Sequence, residues 1–196
     1  MFRIIHFIQL VIRPFYFLLF LPHILMYFLS KNKSLIKQDL HRALPESLQG
    51  KSLIYSLMYE LAYDQPFRNI YYARLGKNRA DLLSWYAREY THFYICAPVG
   101  GGFLAYHPFS TILNAKSIGK NFTCRQCTTI GNKSDNPDDG CPVIGDNVSV
   151  GANVCIIGNI VIGNNVTIGA GSVIVKDVPD NCVVVGNPGR IVKYKN

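Results

Sequence analysis

Histidine is the residue of this sequence best suited to acid–base chemistry, because its side chain exchanges protons near neutral pH. The chain of 196 residues contains five histidines: His6, His23, His41, His92 and His107. Only His107, which Pro108 follows, stands inside the repetitive C-terminal half described below. His107 is therefore the first histidine to consider for proton transfer, and the alternative is a histidine that only shapes a turn.

Two cysteines, Cys124 and Cys127, have the spacing of a redox pair or of half a zinc site. Cys124 falls on an apolar position of the repeat, however, and no second pair follows at zinc-site distance. We therefore expect these cysteines to pack in the core. The chain has 6 cysteines in all, too few for a disulfide-dense secreted module, so reduced thiols in the cytosol are expected.

Composition limits the class of protein. Apolar residues make up 49% of the chain, charged residues only 16%, and the formal net charge is +8. A chain this apolar can bury enough surface to fold, which excludes intrinsic disorder. The basic excess suggests an anionic partner, which could be a phosphate, a lipid headgroup or a nucleic acid.

The first 33 residues form a hydrophobic segment. From Ile4 to Leu29, 20 of 26 residues are apolar, but the longest uninterrupted run has only seven. A membrane span needs about 20. We favour a helix pair that dips into one leaflet, broken at Pro14 or Pro22, with lysines 31, 33 and 37 at the surface. The alternatives are a hairpin buried in an oligomer and a true span. No cleavage site follows, so the rest of the chain is expected at the cytosolic face.

Residues 34–93 predict an α-helical region, because apolar residues recur there at three- and four-residue spacing. Its segment Phe67–Gly76 combines aromatic and basic residues. Such a mixture can signal nucleic-acid binding, but these aromatic residues keep helical spacing, so core packing against the next domain is the better interpretation.

The C-terminal half contains a repeat of six residues. Six aliphatic residues follow one another at this interval: Ile144, Val150, Ile156, Ile162, Ile168 and Ile174. The pattern extends backwards through four more: Ile112, Ile118, Cys124 and Ile130. A gap of fourteen after Ile130 contains a polar stretch that predicts a loop at 132–142. A period of six with β-branched residues and glycine or asparagine between them indicates stacked short strands, a solenoid with one aliphatic ladder inside.

This pattern resembles the hexapeptide-repeat acyltransferases over about Val99–Lys195. The resemblance implies a left-handed parallel β-helix, preceded here by the α-helical N-terminal region, and a trimer. The domains expected are 1–33, 34–93 and 94–196. Four segments look like the serine acetyltransferase branch, and closest to its members associated with capsular and exopolysaccharide synthesis: Gly101–Pro108, Thr129–Gly131, Ile168–Val173 and Val185–Arg190.

The resemblance implies an O-acetyltransferase that uses acetyl-CoA and no metal, with His107 as catalytic base near a subunit interface. Carried over position by position, the acetyl-CoA site comprises Gly131, Ala152, Ala170, Val175, Lys176, Arg190 and Lys193. The zinc-binding, carbonic-anhydrase-like members use three histidines, which this domain does not supply.

The sequence also departs from the branch. Tyr106 stands where an acid precedes the catalytic histidine, and no carboxylate occurs in 91–98, so a backbone carbonyl or Glu89 would have to orient His107. The loop reads Asp138-Asp139-Gly140 in place of the Arg-His pair that engages the carboxylate of serine. A sugar hydroxyl therefore fits better than serine as acceptor. The alternative function is a non-catalytic trimeric scaffold at the membrane.

Overall fold

The computed structural model describes residues 17–85, 92–134, 136 and 140–195. The chain divides into two compact units, Met1–Glu89 and Tyr90–Asn196. The first is helical and the second is built of short strands. The part of the hydrophobic segment that precedes Phe17 lies outside the described residues, and so do Glu89 and the loop residues Asp138 and Asp139.

Within residues 17–85 the helical unit has five α-helices, which we number in chain order. They are α1 (Leu21–Leu29), α2 (Lys33–Ala43), α3 (Leu53–Tyr63), α4 (Gln65–Leu75) and α5 (Lys77–Ser84), with a 3-10 turn at Glu46–Leu48. Local signals fix their starts: the Ser52 hydroxyl accepts a hydrogen bond from the Tyr55 N–H, and the Asp64 carboxylate accepts one from Phe67 N–H. Gly76, with φ +83°, turns the chain between α4 and α5.

The aromatic and basic stretch Phe67–Gly76 is α4 and the residue after it, and its large side chains are buried within the helical unit. Tyr72 shares a 2.9 Å hydrogen bond with the His23 ring, and the Tyr71 hydroxyl donates to the His23 carbonyl at 2.5 Å. Arg74 forms a buried two-point ion pair with Asp39, at 2.8 and 3.1 Å. The stretch therefore packs in the core of the helical unit, and packing against the next domain stays a prediction.

None of the helices in the described part of the chain is both long enough and apolar enough to cross a bilayer.

The second unit is a left-handed parallel β-helix of about five coils, which confirms the predicted fold class. Its fourteen strands are two to five residues long: β1 (Phe93–Ile95), β2 (Leu104–Tyr106), β3 (Thr111–Leu113), β4 (Ser117–Ile118), β5 (Thr123–Arg125), β6 (Thr129–Gly131), β7 (Val143–Ile144), β8 (Ser149–Val150), β9 (Cys155–Ile157), β10 (Val161–Ile162), β11 (Thr167–Ile168), β12 (Val173–Ile174), β13 (Cys182–Val185) and β14 (Arg190–Tyr194). The first thirteen pair in parallel, and only β14 runs antiparallel, against β13.

The strands make three sheets. The first sheet has the order β1-β3-β6-β9-β12, the second β4-β7-β10, and the third β2-β5-β8-β11-β13-β14. Three corners join them. The histidine corner (107–110, 126–128, 151–154, 169–172) leads from the third sheet to the first. The loop corner (114–116, 132–142, 158–160, 175–177) leads from the first to the second, and the asparagine corner (119–122, 145–148, 163–166, 179–181) from the second to the third.

The aliphatic ladder fills the interior, but the predicted register is wrong at its first member. Ile118, Cys124 and Ile130 are buried as predicted, whereas Ile112 is 41% exposed and Leu113 is fully buried in its place. Leu113 pairs with Ile130 in the first sheet. Leu113 and Ile118 are five positions apart in the sequence, one fewer than Ile156 and Ile162, which are the corresponding buried residues of a later coil. A shift of one residue in a strand moves a side chain to the opposite face.

Candidate functional site

His107 is the first residue of the histidine corner, directly after β2. Its backbone has φ +51°, in the left-handed region, and its side chain is exposed. The turn is tight, because the Phe109 N–H donates to the His107 carbonyl at 2.7 Å, and Pro108 beside it is buried. The corner thus holds an imidazole at the surface, where a substrate can reach it.

The next coil places two further side chains near this position. Tyr106 pairs in register with Arg125, and the Arg125 guanidinium lies 5.2 Å from the centre of the Tyr106 ring. Because Arg125 pairs with Tyr106, Gln126 is the residue of the next coil that corresponds to His107. Its side-chain Oε1 is buried and accepts no hydrogen bond from the residues that the structure describes. These neighbours are nineteen residues away along the chain and carry no repeat signal, so the sequence did not single them out.

A second histidine lies at the same corner, which corrects the prediction that only His107 belongs to the repeat domain. His92 immediately precedes β1, and its carbonyl accepts the Thr111 N–H at 2.9 Å. Its exposed ring packs edge-on against Phe109, with centroids 6.0 Å apart. The sequence missed it because the first coil starts at Phe93 without a recognisable hexapeptide.

The orientation of His107 does not come from a carboxylate in the described part of the chain. Neither a carboxylate nor a backbone carbonyl there accepts a hydrogen bond from its ring. Glu89, one of the two partners predicted, is outside that part. Hydrogen bonds to a catalytic base often tighten only when substrate is bound.

Ala152 and Ala170 occupy the histidine corner in the coils that follow. The Gly171 N–H donates to the Ala152 carbonyl at 2.8 Å, and the Asn153 N–H donates to the Gln126 carbonyl at 3.0 Å. These hydrogen bonds join successive coils along the corner that begins at His107. Ala152 is half-buried and Ala170 is exposed, and their side chains are small enough to leave room for an elongated ligand along this corner.

Three other predicted residues lie at the loop corner, on the other side of the first sheet. Gly131 ends β6, and a Cβ built on it would meet no atom within 4 Å. Val175 and Lys176 follow β12 and are exposed. Since a strand rises about 3.3 Å per residue, a three-residue strand separates the two corners by roughly 10 Å. The structure therefore places five of the seven predicted acetyl-CoA residues at two edges of the first sheet, whereas Arg190 and Lys193 lie on β14 of the third sheet.

A cavity of about 390 Å³ is lined by some of the residues predicted to bind acetyl-CoA. Val175 and Lys176 line it together with Arg190, the first residue of β14, and Asp177 contributes one acidic side chain. Lys193, on the same strand, pairs with Val183 and is not among the lining residues. The cavity thus offers two cations for phosphate groups.

The environment of Cys124 does not favour metal binding. Cys124 is fully buried, and burial raises the pKa of its thiol, which favours the neutral form. The residues that the structure describes contain no group of three or more His, Cys, Asp or Glu that could hold a metal ion. Core packing is confirmed for Cys124, whereas Cys127 is only half-buried.

Comparisons with known proteins agree with this fold. A family model described as bacterial transferase hexapeptide (six repeats) matches residues 141–176. Over 101 residues, 50% of the chain, the sequence is 46% identical to the protein of Escherichia coli K12 named as the colanic acid biosynthesis acetyltransferase WcaB, covering 61% of that protein. Over 105 residues, 53% of the chain, it is 40% identical to the mitochondrial serine acetyltransferase 3 of Arabidopsis thaliana, covering 27% of it. The chain thus spans less than two thirds of the length of these curated relatives.

A solved structure gives the longer match. The serine acetyltransferase of soybean, complexed with serine, superposes with a TM-score of 0.66 at 30% identity, and the match covers 82% of this chain and 69% of that one. The chain therefore belongs to the hexapeptide-repeat acyltransferases, the family that includes the serine acetyltransferases.

Proposed function

We propose that the protein is an acetyl-CoA-dependent O-acetyltransferase. The observation that carries this proposal is the position of His107, exposed at the head of a corner whose later coils present Ala152 and Ala170. Family membership supports the same reaction class. His92 lies at the same corner and is the nearest alternative base.

The reaction needs one base at this corner. The neutral His107 ring accepts the proton of the acceptor hydroxyl as its oxygen bonds to the acetyl carbonyl carbon. When the carbon–sulfur bond of the thioester breaks, the His107 imidazolium returns a proton to the departing CoA sulfur. The products are the O-acetyl ester and free CoA thiol, and the histidine ends in its starting state.

The donor fits the residues along the two edges of the first sheet. The small side chains of Ala152 and Ala170 leave room for the thin pantetheine arm, and Gly131 leaves open space at the opposite edge. Lys176 and Arg190 line the cavity that suits the nucleotide phosphates.

For the acceptor we favour a hydroxyl of a sugar in a cell-surface polysaccharide precursor over serine. The relative named for colanic acid biosynthesis has the higher identity of the two curated relatives, 46% against 40%. The Arg125 cation beside Tyr106, the residue before His107, also suits an acceptor that carries phosphate. Serine remains the competing acceptor, since the soybean relative is a serine acetyltransferase complexed with serine.

We further propose that the enzyme works as a trimer at the cytosolic face, with His107 close to a neighbouring subunit. Exposed apolar side chains on the outer face of the first sheet support an assembly. Tyr94 and Ile112 pair in register there and are both exposed. Sedimentation velocity measures this directly: a species of three chains is expected, and a monomer at assay concentration would contradict it.

The test of the activity compares wild type with His107→Asn. Asparagine tolerates the left-handed backbone of position 107 better than other residues, so the corner is expected to fold. Transfer of labelled acetyl from acetyl-CoA is measured with a glycan precursor or serine in excess. A general base contributes about 10²- to 10⁴-fold, so His107→Asn should lose at least about a hundredfold in kcat.

His92→Asn is the matched control, because His92 also has a left-handed backbone, φ +68°, at the same corner. It should keep most of the activity. A loss confined to His92→Asn would assign the base to His92 instead. A wild-type protein that transfers acetyl to no hydroxyl acceptor would favour the non-catalytic scaffold.

A further inference from the structure

Helix α1 leaves a row of large apolar side chains exposed. We call it the α1 face and define it as Leu21, Leu25, Phe28 and Leu29, which are between 50% and 57% exposed. They recur at three- and four-residue spacing and so share one side of the helix. The opposite side, with Phe20, His23, Ile24 and Tyr27, is buried in the helical unit.

Such a face differs from ordinary surface. Single exposed apolar residues are common on soluble proteins, but a contiguous patch marks a surface that contacts something else. Every exposed residue of α1 itself is a large apolar side chain, except Pro22. The α1 face therefore needs a covering partner.

Charge indicates which partner. Residues 1–38 contain five basic residues and no Asp or Glu: Arg3, Arg13, Lys31, Lys33 and Lys37. The three lysines are exposed and lie within eight residues of the end of α1, Lys33 and Lys37 in the first half of α2. The first acidic residue, Asp39, is buried against Arg74 at 2.8 Å and does not offset them.

The chain before Phe17 continues the same composition. Eleven of its 16 residues are apolar, and its two charges are both positive. A second copy of the chain on the α1 face would bring two such basic segments together, which is unfavourable. An anionic lipid bilayer takes up apolar side chains and attracts lysine at the same surface.

We propose that the α1 face docks on an anionic lipid bilayer, with α1 lying in the plane of the interface. Leu21, Leu25 and Phe28 enter the boundary between headgroups and acyl chains. Lys31, Lys33 and Lys37 contact the phosphate headgroups. The docking involves α1 and the three lysines that follow it, and it does not rest on the acetyltransferase activity.

Flotation of the full-length protein with vesicles tests the docking. Vesicles of phosphatidylcholine with phosphatidylglycerol are compared with vesicles of phosphatidylcholine alone. Wild type should float with the anionic vesicles. Leu25→Asp removes an inserted side chain and adds a charge, and should weaken binding by about a hundredfold. Replacing the three lysines by Gln should weaken binding to the anionic vesicles by roughly fivefold per lysine.

Leu82→Asp is the matched control. Leu82 is 59% exposed on α5, comparable to Leu25 at 57%, but it stands beside the exposed Asp81. It should bind vesicles as wild type does. Equal losses for Leu25→Asp and Leu82→Asp, or wild type that stays unbound, would overturn the proposal.

Two further measurements distinguish a loss of lipid binding from misfolding and from self-association. Leu21→Asp places an acid in the first turn of α1, where the helix dipole favours it, so folding should be retained while binding falls. Trp85 is the single tryptophan, so Trp85→Phe with Leu25→Trp puts the only tryptophan on the α1 face. Its fluorescence should be quenched by brominated acyl chains. No quenching, or an α1 face that instead forms dimers which Leu25→Asp dissociates, would also refute docking on lipid.

Discussion

The guanidinium of Arg125 lies 5.2 Å from the centre of the Tyr106 ring, one residue before His107. The two side chains are register partners on β2 and β5 and are both exposed on the third sheet. Tyr106, which directly precedes the candidate base and stands where the resemblance to the serine acetyltransferase branch implies an acid, therefore lies against a cation. We expect this cation to favour an acceptor that carries a phosphate group.

Arg125→Met should raise the KM for a phosphate-bearing glycan acceptor by about tenfold, because a charge-assisted contact contributes about 1.5–3 kcal/mol. The KM for serine should change less. The melting temperature should change little, since an exposed cation–π pair contributes only about 0.5–1 kcal/mol. Tyr106→Phe keeps the aromatic face and serves as control, with kinetics close to wild type. A loss in Tyr106→Phe as large as in Arg125→Met would assign the effect to the tyrosine hydroxyl.

Lys176 and Arg190 should govern donor affinity rather than the chemical step. Lys176→Gln and Arg190→Gln are each expected to raise the KM for acetyl-CoA roughly tenfold with kcat nearly unchanged, because each removes a cation from the cavity. Lys193→Gln is the comparison, since Lys193 lies on the same strand but does not line the cavity. The measurement is initial rate against acetyl-CoA concentration. If Lys193→Gln raised the KM for acetyl-CoA more than Lys176→Gln and Arg190→Gln do, this assignment would be wrong.

The period of six, with aliphatic residues and tight turns, predicts stacked strands well because it leaves few other structures, and the resemblance to the family implies the left-handed β-helix. The sequence predicts single residues less well where the period is broken. The buried residues Leu113 and Ile118 are five positions apart instead of six, so the ladder contains Leu113 and not Ile112. His92 was not recognised because the first coil lacks the motif. The cavity at Lys176 and Arg190 depends on the antiparallel return of β14, which no repeat encodes.

The corrected register makes a prediction of its own. Leu113→Ala should destabilise the protein by about 2–5 kcal/mol, because it leaves a hole in the core. Ile112→Ala, one residue earlier and exposed, should cost within about 0.5 kcal/mol. The free energy of unfolding in urea measures both. If Ile112→Ala were the more costly change, the uninterrupted six-residue register would be the correct one.

The asparagine corner should contribute to stability through a hydrogen-bonded ladder. Asn165 donates to the Asn181 side chain at 2.8 Å and accepts from Asn147 at 3.1 Å, with φ +56°. Asn165→Ala loses both bonds and places alanine in the left-handed region, for a loss of about 2 kcal/mol. Asn165→Gly loses the bonds without the steric strain, so its loss should be about 1 kcal/mol smaller. Equal denaturation midpoints for the two variants would show that the strain is negligible.

The helical unit buries Glu60 and His23, and the two residues make the stability of the protein depend on pH in opposite directions. Burial, with a smaller effect of Asp64, raises the pKa of Glu60 from 4.5 to about 7. Burial, with a smaller effect of Arg68, lowers the pKa of His23 from 6.5 to about 4. Between pH 4.5 and 7 the folded state retains a proton on Glu60 that the unfolded state releases, so stability falls as pH rises. Between pH 4 and 6.5 the unfolded state binds a proton on His23 that the folded state does not, so stability rises with pH.

Single substitutions should show separately how each of the two residues changes the free energy of unfolding with pH. In Glu60→Gln only His23 remains, so the free energy of unfolding should rise with pH up to about 6.5 and then level off. In His23→Gln only Glu60 remains, so it should fall as pH rises to about 7. Each full change is on the order of 3 kcal/mol, since one unit of pKa corresponds to about 1.4 kcal/mol. Wild type should vary less than either variant where the two ranges overlap, because the slopes are opposite. Urea unfolding followed by far-ultraviolet circular dichroism across this range checks the sign, and parallel curves for all three proteins would show that neither group titrates differently on folding.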